Sequence, residues 1–290
     1  MKAFVVIPAR YGSSRLPGKL ILPEAKTLTG KFLIEHVYFR VREAKGVQGV
    51  LVATDDRRIF DVVKGFGGEV VMTYPEHKSG TDRVAEVAKK IDADIIVNVQ
   101  GDEPEVRPEM VDTVVEALQK DKGGRATPDQ GAVMATLANV IDSREEYQDP
   151  HAVKVVMDNK GHALYFSRSP IPYAASWGTE DMFKSSKVQG FKGLKEGAYY
   201  KHLGIYSYRR DFLLRYSQLP RSPLEEAEKL EQLRVLSNGY KIKVVVTPHK
   251  CCGVDTPEDF RRFLDKYRLL AVGSQKPESR KRMPEGQVSR

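Results

Sequence analysis

Residues 3–19 read AFVVIPARYGSSRLPGK, and this stretch decides the fold. Residues 3–8 are an apolar run ending at a proline, short enough for a buried strand and far short of the ~20 residues that span a bilayer. Directly after it come Gly12 and Gly18, the hydroxyls of Ser13 and Ser14, and the cations Arg10, Arg15 and Lys19. In open α/β sheets, ligands bind outside the carboxyl ends of the strands. A loop there with glycines for close backbone approach and guanidinium or ammonium groups for charge suits a polyphosphate. Two familiar phosphate loops are excluded by spacing. Five residues separate Gly12 from Gly18 and Leu20 follows Lys19, so there is no Walker A loop, and no Gly-x-Gly-x-x-Gly fingerprint is present.

Working outward, short apolar runs alternate with helical periods. Strands are predicted at 49–54, 70–73 and 95–99, and helices at 31–44, 56–66, 81–91 and 108–119. In the first helix Leu33, Ile34, Val37, Tyr38 and Val41 share a stripe. This order implies a mostly parallel sheet covered on both faces. Residues 120–130 read as a loop. Beyond it the pattern changes: 152–158 and 162–168 flank Asn159-Lys160-Gly161 as a hairpin, 171–197 has no clean period, and 202–209 is a strand. A single helix is expected over 223–236, a last strand over 242–246 and a last helix over 257–270. No internal repeat is visible. One α/β domain over 1–270 is expected, with an inserted β-rich arm at about 150–222.

Composition narrows the class. The 290 residues are 41% hydrophobic and 30% charged, as in ordinary soluble domains. Part of the net charge of +8 sits in residues 271–290, where Arg280, Lys281 and Arg282 cluster among Pro, Gly and Ser. That tail is expected to be solvated and disordered, and no aromatic-interleaved basic stripe points to nucleic acid. The N-terminus lacks a cleavage site, so the cytoplasm is the expected compartment. Cys251 and Cys252 are adjacent and match neither disulfide nor zinc spacing.

Two carboxylates stand out. Asp102 follows the strand at 95–99 in VQGDEP, where an aspartate serves either a turn or a divalent cation bound to phosphate. Asp255 precedes Thr256-Pro257-Glu258-Asp259. Thr256 as N-cap, Pro257 at the first helical position and Asp259 in the capping-box place would leave Asp255 free, the alternative being that Asp255 is the cap. His202 and Tyr206 lie four apart on a strand, hence on one face. Glu231 and Gln232 lie on the helix of 223–236, and Ser79-Gly80-Thr81-Asp82-Arg83 opens another, as caps or as an anion or base site.

Together these segments resemble the 3-deoxy-manno-octulosonate (Kdo) cytidylyltransferases. The likeness rests on IPARYGSSRLPGK, VATDD, SGTDR, IIVNVQGDEP, AVKVVMD, ALYFSRSPIPY, KHLGIYSYRRDFL, PLEEAEKLEQLRVLSNGYKI and GVDTPED, and covers all but the tail. It implies a Rossmann-like nucleotidyltransferase fold with a dimerisation arm, a homodimer, and the reaction CTP + Kdo → CMP-Kdo + pyrophosphate for lipopolysaccharide synthesis. Carried over residue by residue, it implies that Arg10, Ser14, Arg15 and Lys19 bind triphosphate, with Ser79, Gly80 and Arg83 on the nucleotide side. It implies that Asp102 and Asp255 bind Mg²⁺, and that Gln100, Arg168, His202, Tyr206, Glu231 and Gln232 surround the sugar. Lys19, Asp102 and Asp255 would be the catalytic set. The chain departs from the family at ILPEAKTLTGKFLIEHV, residues 21–37, where a short turn ending in Lys-Pro is usual. That change is expected to alter the rim of the nucleotide site.

Overall fold

The computed structural model describes residues 1–13, 15–77, 79–121, 131–173 and 199–273. Its centre is a sheet in the order β3-β2-β1-β4-β8-β5-β9. The strands are β1 Ala3–Ala9, β2 Val50–Thr54, β3 Val70–Met72, β4 Ile95–Asn98, β5 Ala132–Val140, β8 Tyr200–Arg209 and β9 Lys241–Val246. β1 pairs in parallel with β2 and β4, β2 with β3, and β5 with β9. Of these seven strands β8 alone runs antiparallel, between β4 and β5. The sheet is therefore mostly parallel, as its run of buried apolar strands requires.

Side chains alternate between two cores. From β1, Val5 and Ile7 enter one core and Val6 the other; from β4, Ile95 and Val97 enter the first and Ile96 the second. Helices α2 (Leu33–Arg42), α5 (Pro108–Lys120) and α10 (Pro257–Gly273) supply the first layer, and α4 (Gly80–Ala88), α7 (Arg210–Tyr216) and α9 (Gln232–Ser237) the second. Asp56 caps α3 (Arg57–Gly65) by accepting from the Arg58 amide, and Ser79 caps α4 by accepting from the Asp82 amide. The hairpin expected around residue 160 is present. β6 (Lys154–Met157) pairs with β7 (Ala163–Ser167), turning at Gly161, whose φ of 74° suits glycine. It joins the main sheet where Lys154 meets Lys201.

Three expectations change. β5 is a strand that residues 131–140 do not announce: AVMATLANV is buried along eight of its nine positions and carries no alternation to mark it. The helix expected over 223–236 is two helices, α8 (Pro223–Glu228) and α9, separated by a left-handed residue, Lys229, with φ 55°. The atypical segment at 21–37 folds as α1 (Pro23–Thr29), closed by Gly30 in the left-handed region, and packs on α10. The Phe32 amide donates to Glu35 at the start of α2, so the helix opens without the usual proline. Residues 274–290, most of 171–197 and most of 120–130 lie outside the described residues, as does Ser14.

Candidate active site

The parallel strands deliver their carboxyl ends to one edge, and the antiparallel β8 brings its first residues there. Two cavities open along that edge and share Pro8, Arg10 and Gln100.

The first cavity, about 430 Å³, is walled by the loop after β1, by Gln100–Asp102 after β4, and by Asp255. Gly18, with φ 69°, donates from its amide to the Tyr11 carbonyl and lies against the Tyr11 ring. That turn aims Lys19 inward. Its ammonium is buried and donates to Asp102 at 2.5 Å, to Asp255 at 2.9 Å and to the Val254 carbonyl at 2.9 Å. Burial lowers the Lys19 pKa, but the Asp102 charge and hydrogen bond, followed by those of Asp255, outweigh it and leave it raised. Arg15 adds a looser contact to Asp255 at 3.4 Å. Lys19 thus neutralises the two carboxylates directly.

Asp255 reaches this place by a long connection. It does not follow its strand directly, because β9 lies at the sheet edge, beyond β5 and β8 from β4. The connection after β9 must cross back. The Thr247 amide donates to Ala138, Asn139 donates to the carbonyls of Thr247 and His249, Cys251 donates to Glu103 at 3.2 Å, and the Val254 amide donates to the Asp102 carbonyl at 2.8 Å. The last of these bonds ties the two aspartate segments together. Burial first, then the Asp102 charge, pushes the Glu103 carboxyl up to about 7. Thr256 and Asp259 cap α10 reciprocally: the Asp259 amide donates to the Thr256 hydroxyl and the Thr256 amide to the Asp259 carboxylate. Asp255 is not needed as a cap, as one of the two sequence readings holds.

The second cavity, about 400 Å³, is walled by the start of α4, by β8 and by the 229–232 turn. It gathers Ser79, Gly80, Arg83, Gln100, His202, Tyr206, Glu231 and Gln232. The β5–β8 register shifts between Leu203 and Tyr206, and the rings of His202 and Tyr206, four apart on the strand, stand 5.3 Å from one another. The Thr136 hydroxyl sits 2.8 Å from the Ile205 carbonyl and 3.0 Å from both the Leu203 carbonyl and His202 Nε2. Its single proton goes to a carbonyl, so Nε2 must donate to it and Nδ1 is an acceptor. Burial pushes this imidazole down to about 3, which keeps it neutral. Glu231 accepts from the Thr81 hydroxyl at 2.8 Å, and burial raises its carboxyl against that bond. Tyr206 donates to Gln232 Oε1 at 3.4 Å, while Gln232 Nε2 is buried without a partner among the described residues. A buried amide in that state is costly unless a ligand supplies the acceptor.

Two expected site residues are differently employed. Arg83 lines the second cavity, but it is 4% exposed and its guanidinium is held by Asp55 at 2.8 Å and by the Thr73 hydroxyl. Arg168 lines neither cavity. Its guanidinium donates to the backbone carbonyls of Glu228 and Pro150. Conversely, His151 and Lys229 line the second cavity without having been singled out. Thr81 of the SGTDR motif lines it too; an isolated lysine in a helical pattern carries no such signal. No residue of the atypical segment 21–37 lines either cavity.

The cytidylyltransferase family model matches residues 4–242. A 3-deoxy-manno-octulosonate cytidylyltransferase from Syntrophotalea carbinolica is 50% identical over 270 residues, covering 93% of this chain and all of that protein. The chain belongs to the 3-deoxy-manno-octulosonate cytidylyltransferase family. A member from Geobacter metallireducens is 47% identical over 94% of this chain and all of that protein. A solved CMP:2-keto-3-deoxy-manno-octonic acid synthetase complexed with CTP superposes with a TM-score of 0.78 at 43% identity, covering 94% of this chain and all of that one. A putative glucose-1-phosphate thymidylyltransferase from Bacillus anthracis shares the fold alone, with a TM-score of 0.57 at 15% identity over 92% of this chain and 95% of that one. Membership makes this chain a nucleotidyltransferase. Among the described residues, no helix is long and apolar enough to cross a membrane.

Proposed function

We propose that this protein transfers CMP from CTP to the anomeric hydroxyl of 3-deoxy-D-manno-octulosonate, releasing pyrophosphate for lipopolysaccharide biosynthesis. The observation that carries the reading is the junction of the two cavities at Arg10 and Gln100. One cavity presents cations and a carboxylate pair, as a triphosphate requires. The other presents a neutral histidine acceptor, a carboxylate and an unpaired amide, as a polyhydroxylated acid requires.

In this reading Arg10, Arg15 and Lys19, with Ser14 of the same loop, take the triphosphate, and Ser79 and Gly80 take the nucleoside side, where Arg83, held by Asp55 and Thr73, forms part of the wall. Gln100, His202, Tyr206, Glu231 and Gln232 take the sugar. No protein nucleophile is needed. The sugar hydroxyl forms a bond to the α-phosphorus as the bond to pyrophosphate breaks, so the protein's work is positioning and charge balance. The Arg10 and Arg15 guanidinium groups offset the charge of the departing pyrophosphate. The neutral His202 and the Glu231 carboxylate accept from sugar hydroxyls and orient them.

Asp102 and Asp255 fit a magnesium ion: Lys19 draws one oxygen of each to a single point, and both are hard oxygen donors at a phosphate-type loop. No third carboxylate, His or Cys joins them among the described residues, so phosphate and water oxygens would complete the shell. Such an ion lowers the pKa of a bound hydroxyl and stabilises phosphoryl charge. We further propose a cytoplasmic homodimer, with the hairpin arm and its exposed Leu164 as the contact surface.

The direct test is initial-rate pyrophosphate release with CTP and Mg²⁺, comparing Kdo with an amino-substituted Kdo and a sialic acid. Kdo should be turned over with the highest kcat/KM. A higher kcat/KM for either other acid would replace Kdo as the substrate.

A further inference from the structure

The break in the helix at Lys229 is imposed from outside. A non-glycine residue in the left-handed region costs roughly 1–2 kcal/mol, so neighbouring contacts must hold it. Two sets do so. The Glu228 carboxylate accepts from the Ser167 hydroxyl at 2.5 Å and from the Arg168 amide at 2.8 Å, and its backbone carbonyl accepts from Arg168 Nε at 2.8 Å. In an unbroken helix that carbonyl would receive the amide of Gln232, four residues on. The guanidinium stands in for it. Arg168 is itself anchored: Nη1 donates to Pro150, and the fully buried Lys154 donates to the Arg168 carbonyl at 2.7 Å and to the Asp149 carbonyl at 2.8 Å.

The second set is Glu225 and Arg234, a buried pair joined at 2.5 and 2.9 Å. Nine residues apart, they would lie roughly half a turn out of phase on one helix and face opposite ways. They meet only because α9 folds back from α8. The same fold-back sets Glu231 and Gln232 on the cavity wall, where Tyr216 donates to the Glu231 carbonyl at 3.1 Å and Thr81 to its carboxylate.

We propose that Arg168 is a positioning residue for the sugar side of the site, acting through the Glu228 carbonyl to end α8 at Lys229 and present Glu231 and Gln232. This rests on the reading that those two residues face the sugar. It differs from the expectation that Arg168 touches the sugar itself.

Glycine adopts the left-handed region at little cost, so in a Lys229→Gly background the break should no longer depend on Arg168. Arg168→Gln is expected to raise the KM for Kdo about tenfold in the wild-type background, the worth of one hydrogen bond to a charged group. The KM for CTP should not change. The same substitution in the Lys229→Gly background should cost about twofold or less. An equal penalty in both backgrounds would place the guanidinium on the sugar and overturn the proposal, as would no penalty in either. Amide hydrogen exchange over residues 229–233 reads the positioning without turnover. It should be faster in Arg168→Gln than in wild type and slow again in the double variant; unchanged exchange in Arg168→Gln overturns the proposal. If the wild-type protein does not use Kdo, the functional reading fails while the exchange pattern still decides the role of Arg168.

Discussion

The Lys19 ammonium stands 2.5 Å from the Asp102 carboxylate, and this contact is what lets Asp102 and Asp255 share one end of a cavity. Two carboxylates so placed repel one another unless a cation lies between them. Lys19 supplies that charge from within the chain. Lys19→Met should therefore destabilise the metal-free protein by roughly 1.5–3 kcal/mol in urea unfolding, and saturating Mg²⁺ should recover part of the loss. Loss that Mg²⁺ does not reduce would show that the ion and the ammonium do not act on the same pair.

Asp102→Asn and Asp255→Asn keep side-chain size and remove one charge each. Both variants should fold, and each should lose on the order of 10²-fold in turnover at saturating CTP and Mg²⁺, since metal-assisted charge stabilisation is worth several kcal/mol. Joined through the Val254 amide and Lys19, the two act as a unit. The double variant should lose far less than the product of the single losses. Near-wild-type turnover in either single variant would remove that residue from the metal site.

Gln232 offers a trade between stability and binding. Its buried Nε2 has no partner among the described residues, so Gln232→Leu removes an unsatisfied donor. The Tyr206 hydroxyl loses its 3.4 Å acceptor at the same time, so the urea midpoint should stay close to that of wild type. The same substitution should raise the KM for the sugar about tenfold and leave that for CTP unchanged. A destabilised variant with an unaltered sugar KM would assign Gln232 to the core.

How much of this was legible differs by region. The loop after β1 and the segment around Asp102 were readable because a parallel strand delivers its next residues to the ligand edge. The α10 capping box was readable because Thr256 and Asp259 are three apart. β5 was not, because a strand buried on both faces lacks alternation. The break at Lys229 was not, because it is held by Arg168 and by the Glu225–Arg234 pair, contacts that local propensity does not contain. The nearness of Asp255 to Asp102 was not readable, because the connection 247–256 carries it there from a distant strand. Arg168 was assigned by resemblance to the sugar, whereas its guanidinium lies on backbone carbonyls.

His36 makes the fold acid-sensitive. It is buried between α1 and α10, bonded to the Thr29 hydroxyl at 2.7 Å and the Tyr267 hydroxyl at 3.1 Å. Burial, then the charges of Lys31, Arg40 and Lys26, lower its pKa from 6.5 to about 4. Below pH 6.5 the unfolded chain takes up a proton that the folded chain refuses until about pH 4. The stabilisation is thus complete above the unfolded value and is lost as pH falls, on the order of 3 kcal/mol in all. His36→Gln should be less stable than wild type at pH 8 but decline less steeply between pH 6.5 and 4. Parallel declines in urea midpoint would exclude His36 as the source.

The most direct measurement is phosphorus NMR of the full-length protein incubated with Mg²⁺, CTP and Kdo. Pyrophosphate and a new phosphodiester resonance of CMP-Kdo should grow in equal amounts, and neither should form when Kdo is omitted. Folded protein that leaves CTP intact in the presence of Kdo, or releases phosphate without the CMP-sugar, would contradict the proposed transfer.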